Sequence, residues 1–108
     1  MNVQKMFNEV IPQILKEKPE KAKPINAIYL FSISGEKGGV WTLDLKSDPP
    51  VITEGKVEDK ELDCSIELSD KDFEKMLDPK VGAQLFIQRR LKLEGDPILT
   101  TRLESLFV

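Results

Sequence analysis

The sequence predicts an α+β domain of two layers, a five-stranded, mainly antiparallel sheet with helices covering one face. Three observations lead there. Apolar and polar residues alternate in several short stretches, the period of a strand with one buried face. Other stretches space Leu, Phe and Met at i, i+3 and i+4, the period of a helix with one apolar stripe. The joints carry their own chemistry: Ser69, Asp78-Pro79 and Asp96-Pro97 each put a capping side chain, a proline or both at a helix start. In chain order the elements read α-β-β-β-crossover-β-α-α-β-α.

Met1 to Lys18 is the first helix, with Val3, Met6, Phe7, Val10, Ile11 and Ile14 on one stripe. Pro12 lacks an N–H and crowds the carbonyl four residues back, so a kink or break is expected there. Lys16 to Lys23, KEKPEKAK, reads as a solvated linker. Ile25 to Ser34 is a strand with Ala27, Tyr29, Phe31 and Ile33 on one face. Gly35-Glu36-Lys37-Gly38-Gly39 closes a hairpin, where glycine accepts positive φ. It is no phosphate loop, because a strand follows and no Gly-Lys-Ser/Thr ending is present.

Val40 to Lys46 returns with Trp41, Leu43 and Leu45 facing one way. Asp48-Pro49-Pro50 turns the chain, and Val51-Ile52-Thr53 is a short edge strand. Glu54 to Glu61 is polar and long enough to cross the sheet. Cys64, Ile66 and Leu68 then alternate with Asp63, Ser65 and Glu67. Ser69 caps the next helix, with Asp72 three residues on as its capping-box partner and Phe73, Met76 and Leu77 on its apolar side. Val81, Leu85 and Phe86 mark the helix opened by Asp78-Pro79. Leu91 and Leu93, split by Lys92, form the last strand, and Leu99, Leu103, Leu106 and Phe107 form the stripe of the last helix.

Composition narrows the function. A chain of 108 residues is read as one domain, 1–108. The net charge of -3 argues against a nucleic-acid partner, since the nearest basic cluster, Arg89-Arg90 with Lys92, stands beside Glu94 and Asp96. No apolar run approaches the ~20 residues of a membrane span, so at most transient membrane contact is expected. The N-terminus shows no signal-peptide pattern, and the lone Cys64 cannot form an internal disulfide, so nothing suggests an oxidising compartment. Cys64 itself reads as a small buried hydrophobe. The chain has no histidine. That removes the commonest general base and zinc ligand and every Ser-His or Cys-His pair; carboxylate-only or lysine chemistry stays open, but an enzyme is the least favoured reading and no metal or cofactor is expected. Asp44, Asp63, Asp70 and Asp72 sit at outward strand positions and helix starts, where solvation and capping account for them.

Three segments together resemble the sterol carrier protein 2 family. Gly39-Val-Trp-Thr-Leu-Asp-Leu-Lys46 is similar to that family's glycine-rich hairpin with Trp-Thr-x-Asp. Asp63-Cys-Ser-Ile-Glu-Leu-Ser-Asp-Lys-Asp-Phe73 is similar to its Asp-Cys-Thr-Ile strand and Asp-x-Asp-Phe helix start. Phe86-Ile-Gln-Arg-Arg-Leu-Lys-Leu-Glu-Gly-Asp96 is similar to its Phe-x-x-Gly-Lys-Leu-Lys-Ile-x-Gly-Asp segment. The likeness runs in order along nearly the whole chain. It implies a hydrophobic tunnel between sheet and helices that binds fatty acids, acyl-CoAs, sterols or phospholipids without covalent chemistry. Arg89 stands where the family has glycine, a departure that bears on that turn and on the tunnel mouth near it. The ending Leu106-Phe107-Val108 differs from the Ser-Lys-Leu-like tripeptide of peroxisomal members, so against the family pattern a cytoplasmic location is expected.

Periodicity alone reads each apolar residue as ordinary core; the resemblance reads a subset as tunnel lining. That subset is Phe73, Met76, Leu77, Leu85, Phe86, Leu99, Leu103, Leu106 and Phe107 from the helices, over a floor of Phe31, Trp41, Leu43 and Ile66. A fatty-acid carboxylate needs a cation or amide at the mouth, for which Arg89, Arg90 and Arg102 are candidates, with Gln88 as a further donor. A different class stays open beside it: a protein-interaction or regulatory module that docks through an exposed stripe on the last helix.

Overall fold

The computed structural model of this chain describes residues 3–76, 92–96, 98–104 and 106. The helix expected after Asp78-Pro79, with Val81, Leu85 and Phe86, lies outside the described residues. The sheet has five strands: β1 (Ile28–Ser34), β2 (Gly39–Asp44), β3 (Val51–Glu54), β4 (Cys64–Ser69) and β5 (Lys92–Gly95). Their order across the sheet is β3-β2-β1-β4-β5, with β3 at one edge as expected. All neighbours are antiparallel except β1 and β4. A parallel neighbour cannot be reached by a hairpin, so the chain between β3 and β4 must cross the sheet.

Register decides which residues share a face. Phe31 lies between Trp41 and Ile66, Tyr29 between Leu43 and Cys64, and Ile66 continues to Leu93. These apolar positions therefore line up across four strands on one side.

The N-terminal helices cover the β2 half of that side. α1 (Val3–Lys5) runs into a π-turn at Met6–Val10, and α2 (Ile11–Glu17) follows it. Within the π-turn the Ile11 N–H donates to the Met6 carbonyl, five residues back. The widened turn comes just before Pro12 and includes Asn8, whose carbonyl the proline ring would otherwise crowd. The expected break is thus a π-turn, and the helix carries on to Glu17. The extra residue also rotates the stripe: Leu15 is buried, while Ile14 is half-buried.

Three local expectations are corrected. The KEKPEKAK stretch is not wholly solvated, because a 3-10 turn at Pro19–Lys21 brings Ala22, and then Ile25, into the core. The strand starts at Ile28 rather than Ile25, because the N–H groups of Ile25 and Asn26 both donate to the Ala22 carbonyl and Asn26 adopts φ 47°. Asp44 is also not solvated; only 2% of it is exposed. It lies under the crossover, where its Oδ1 accepts from the N–H groups of Lys46 and Ser47 at 2.9 and 3.0 Å. Its Oδ2 accepts from the Ser47 hydroxyl at 2.6 Å and from the Lys60 ammonium.

Further ties hold the crossover to the outer face. The Thr42 hydroxyl donates to the Gly55 carbonyl at 2.7 Å and accepts from the Val57 N–H at 3.3 Å. Asp63 accepts from the Ile28 N–H at 2.9 Å and from Lys46 at 3.0 Å. On the helix side, α3 (Asp70–Met76) opens where Ser69 Oγ accepts from the Asp72 N–H at 3.1 Å, the cap the sequence predicts. α4 (Ile98–Glu104) opens where Asp96 Oδ1 accepts from the Ile98 N–H at 3.0 Å.

Candidate functional site

The helix-covered face divides into two parts along the sheet. At the β2 end, the N-terminal segment lays Phe7 on the floor. Its ring stacks on Trp41 with centroids 4.4 Å apart and planes 8° from parallel. It also meets Phe31 at 5.0 Å and Phe73 at 5.1 Å. Such pairs are each worth about 0.5–1.5 kcal/mol beyond burial. The indole N–H donates to Asn8 Oδ1 at 3.2 Å, one residue along the same π-turn. Gly39 makes room for the indole, since a Cβ there would stand 2.7 Å from the Trp41 ring.

At the β1–β4–β5 end the floor is Tyr29, Cys64, Ile66 and Leu93, and Leu103 and Leu106 belong to the same apolar cluster. Tyr29 is fully buried, and its hydroxyl donates to the Leu99 carbonyl of α4 at 2.6 Å. Burial pushes its phenol far above the ordinary range; Cys64 and Asp63 push the same way, and Arg102 opposes them. Tyr29 therefore stays a neutral donor that ties the last helix to the sheet. Burial, aided by Asp96 and Asp63, raises the Cys64 thiol to about 11. A thiol so held is not the thiolate that nucleophilic chemistry needs.

The sequence-predicted residues fall as follows. Phe31, Trp41, Leu43, Ile66, Phe73, Leu103 and Leu106 are all buried in one apolar cluster. Leu99 is half-buried against it, Met76 closes α3, and Arg102 is exposed on α4. Leu77, Leu85, Phe86, Gln88, Arg89, Arg90 and Phe107 lie outside the described residues. The stripe considered as an exposed docking face is instead turned inward at Leu103 and Leu106, and the exposed apolar residue of α4 is Ile98. Phe7 and Tyr29 were not among the expected site residues. Both had a signal: Phe7 sits on the helical stripe, and Tyr29 is a phenol at an inward strand position, where a buried hydroxyl needs a partner.

A cavity of about 420 Å³ opens on the other face of the sheet, beside the crossover. Leu30 and Leu62 line it together with Lys56, Lys92, Glu67 and Glu94. Charges of both signs distinguish it from the apolar tunnel expected between sheet and helices. Among the described residues, no helix is long and apolar enough to cross a membrane.

Comparison with known proteins agrees with this geometry. The fatty acid-binding protein of Yarrowia lipolytica is 33% identical over 98 residues, covering 88% of this chain and 76% of that protein. The apo structure of sterol carrier protein 2 from Yarrowia lipolytica superposes with a TM-score of 0.70 at 31% identity, covering 95% of this chain and 81% of that one. Human hydroxysteroid dehydrogenase-like protein 2 is 39% identical over 85 residues, which are 78% of this chain and 20% of that protein. The chain thus spans about a fifth of the length of the dehydrogenase-like relatives it matches. With the profile of the SCP-2 sterol transfer family matching residues 7–108, the strand order, the capped helices and the apolar face beneath them are those of a member: the chain belongs to that family.

Proposed function

We propose that this chain is a non-catalytic carrier that binds one long-chain lipid (fatty acid, acyl-CoA, sterol or phospholipid) between the sheet and its helices. The observation that supports this most is the nature of the cover over Tyr29, Cys64 and Ile66. Phe73, Leu103 and Leu106 belong to the same apolar cluster as those three residues, and the Tyr29–Leu99 hydrogen bond ties the last helix to the sheet. Apolar area gains about 25 cal/mol per Å² whether side chain or lipid tail covers it. A tail that replaces such a cover therefore strands few polar groups. An unfilled space would cost about 24 cal/mol per Å³, so a guest also relieves the penalty of opening the site. Arg102, in the last turn of α4, is proposed as a head-group contact together with Gln88, Arg89 and Arg90.

The missing histidine and the neutral, buried Cys64 favour a carrier over an enzyme. The names fatty acid-binding protein and sterol carrier protein among its relatives point the same way. The test is direct. Lipid extracted from freshly purified protein should appear by mass spectrometry, and delipidated protein should take up a fluorescent fatty acid saturably, one per chain. Absence of saturable uptake for fatty-acid, acyl-CoA and sterol probes alike would sink the reading.

A further inference from the structure

We infer that Phe7 sets the length of lipid tail this chain accepts, by occupying the tryptophan end of the apolar floor in place of a ligand. The inference rests on the carrier reading and adds to it a specificity residue and a direction for the tail.

The floor is continuous. From Trp41 the rings run through Phe7 and Phe31 to Tyr29, with centroid steps of 4.4, 5.0 and 6.1 Å. Three of these four residues are rooted in the sheet. Phe7 comes from above, off the π-turn, and takes contacts with Trp41, Phe31 and Phe73 that a hydrocarbon tail would otherwise make. Only 1% of Phe7 is exposed, so its ring fills that end of the floor. The Trp41–Asn8 hydrogen bond fixes the same turn, which makes the ring a wall rather than a loose cover. Beyond the wall the last helix meets the floor at Tyr29, whose hydroxyl donates to the Leu99 carbonyl, and Leu103 belongs to the same apolar cluster. A tail lying over Tyr29, Cys64 and Ile66 therefore ends against Phe7, with its head directed toward α4 and Arg102.

The experiment measures delipidated wild type and Phe7→Ala against saturated fatty acids from lauric to arachidic, and then against a fatty acid brominated at its terminal carbon. Each further methylene that finds apolar cover is worth about fourfold in affinity. The variant should move the optimum to a longer acid and gain on the order of tenfold over wild type for chains two methylenes past the wild-type optimum, while shorter acids bind alike. The bromine should quench Trp41 strongly in the variant and weakly in wild type. If Phe7→Ala does not fold, Phe7→Leu should give a smaller shift of the same sign. An unchanged chain-length profile, or equal quenching in both proteins, would overturn the assignment of Phe7. Wild type that takes up no fatty acid of any length would instead overturn the carrier reading beneath it.

Discussion

On its helix side the sheet is covered by hydrocarbon, and on its other side by hydrogen bonds and ion pairs. The helix side buries Phe7, Phe73, Leu103 and Leu106 over Trp41, Phe31, Tyr29 and Ile66. The outer side buries Thr42 and Asp44 beneath a crossover held by Gly55, Val57 and Lys60. Apolar contact is non-directional, so another hydrocarbon can replace it at little cost. A buried carboxylate or hydroxyl has no such substitute, because losing its partner leaves it unsatisfied. On the carrier reading proposed above, the outer face is the fixed back of the molecule and the helix face is the side offered to a guest. The cavity beside the crossover differs from that face, since Leu30 and Leu62 share its lining with Lys56, Lys92, Glu67 and Glu94.

The comparison can be broken first where the effect is largest. Leu103→Ala should cost about 3 kcal/mol in lipid-free protein, as buried leucine truncations do. If the helix face is exchangeable, bound lipid fills part of that gap, and the loss measured by urea denaturation should shrink when fatty acid is present. An equal loss with and without lipid would place Leu103 outside the site.

Lys60→Met should cost about 2 kcal/mol, because it takes a charged partner from a buried carboxylate. Here lipid should recover nothing. The same clamp predicts a pH window. Burial pushes Asp44 up, but the hydrogen bonds from Lys60, Ser47 and Lys46 outweigh it and hold the group at about 2 against 3.8 unfolded. A lowered native pKa means the folded state binds the proton less readily than the unfolded one. The contribution is whole above about 3.8 and disappears as pH falls through about 2. Urea midpoints for wild type should decline across that interval more steeply than for Asp44→Asn.

The smallest effect concerns the tie between the faces of the site. Tyr29→Phe keeps the ring and removes the donor to Leu99, which should cost about 1 kcal/mol. Amide exchange should quicken in α4 and leave β2 unchanged. Equal quickening in both would mean that the hydroxyl supports the whole fold rather than the last helix.

Much of this architecture is legible in the order of residues. Alternation at Tyr29, Phe31 and Ile33 and at Cys64, Ile66 and Leu68 names the buried face directly, because a strand has only two faces to choose between. The Ser69 and Asp96 caps are equally plain, since a helix start leaves orphan amides that a nearby oxygen must satisfy. Asp44 shows the limit of that kind of pattern. Its outward position on β2 is correct, but whether an outward position meets water depends on a crossover that arrives a dozen residues later. The π-turn is not legible in the sequence, because Pro12 predicts a disturbance without saying how the backbone absorbs it.

By itself, then, the sequence determined the strands, their inward sides, the capped helix starts and the absence of histidine chemistry, all of which follow from local period and residue type. Only the tertiary structure decided what rests on each side of the sheet: Phe7 on the tryptophan, Leu99 above the Tyr29 hydroxyl, Lys60 on Asp44. Those pairings join residues far apart in the chain. Local pattern can require that a phenol, an indole or a carboxylate find a partner, but which one it meets is set by strand order and by where the connections pass.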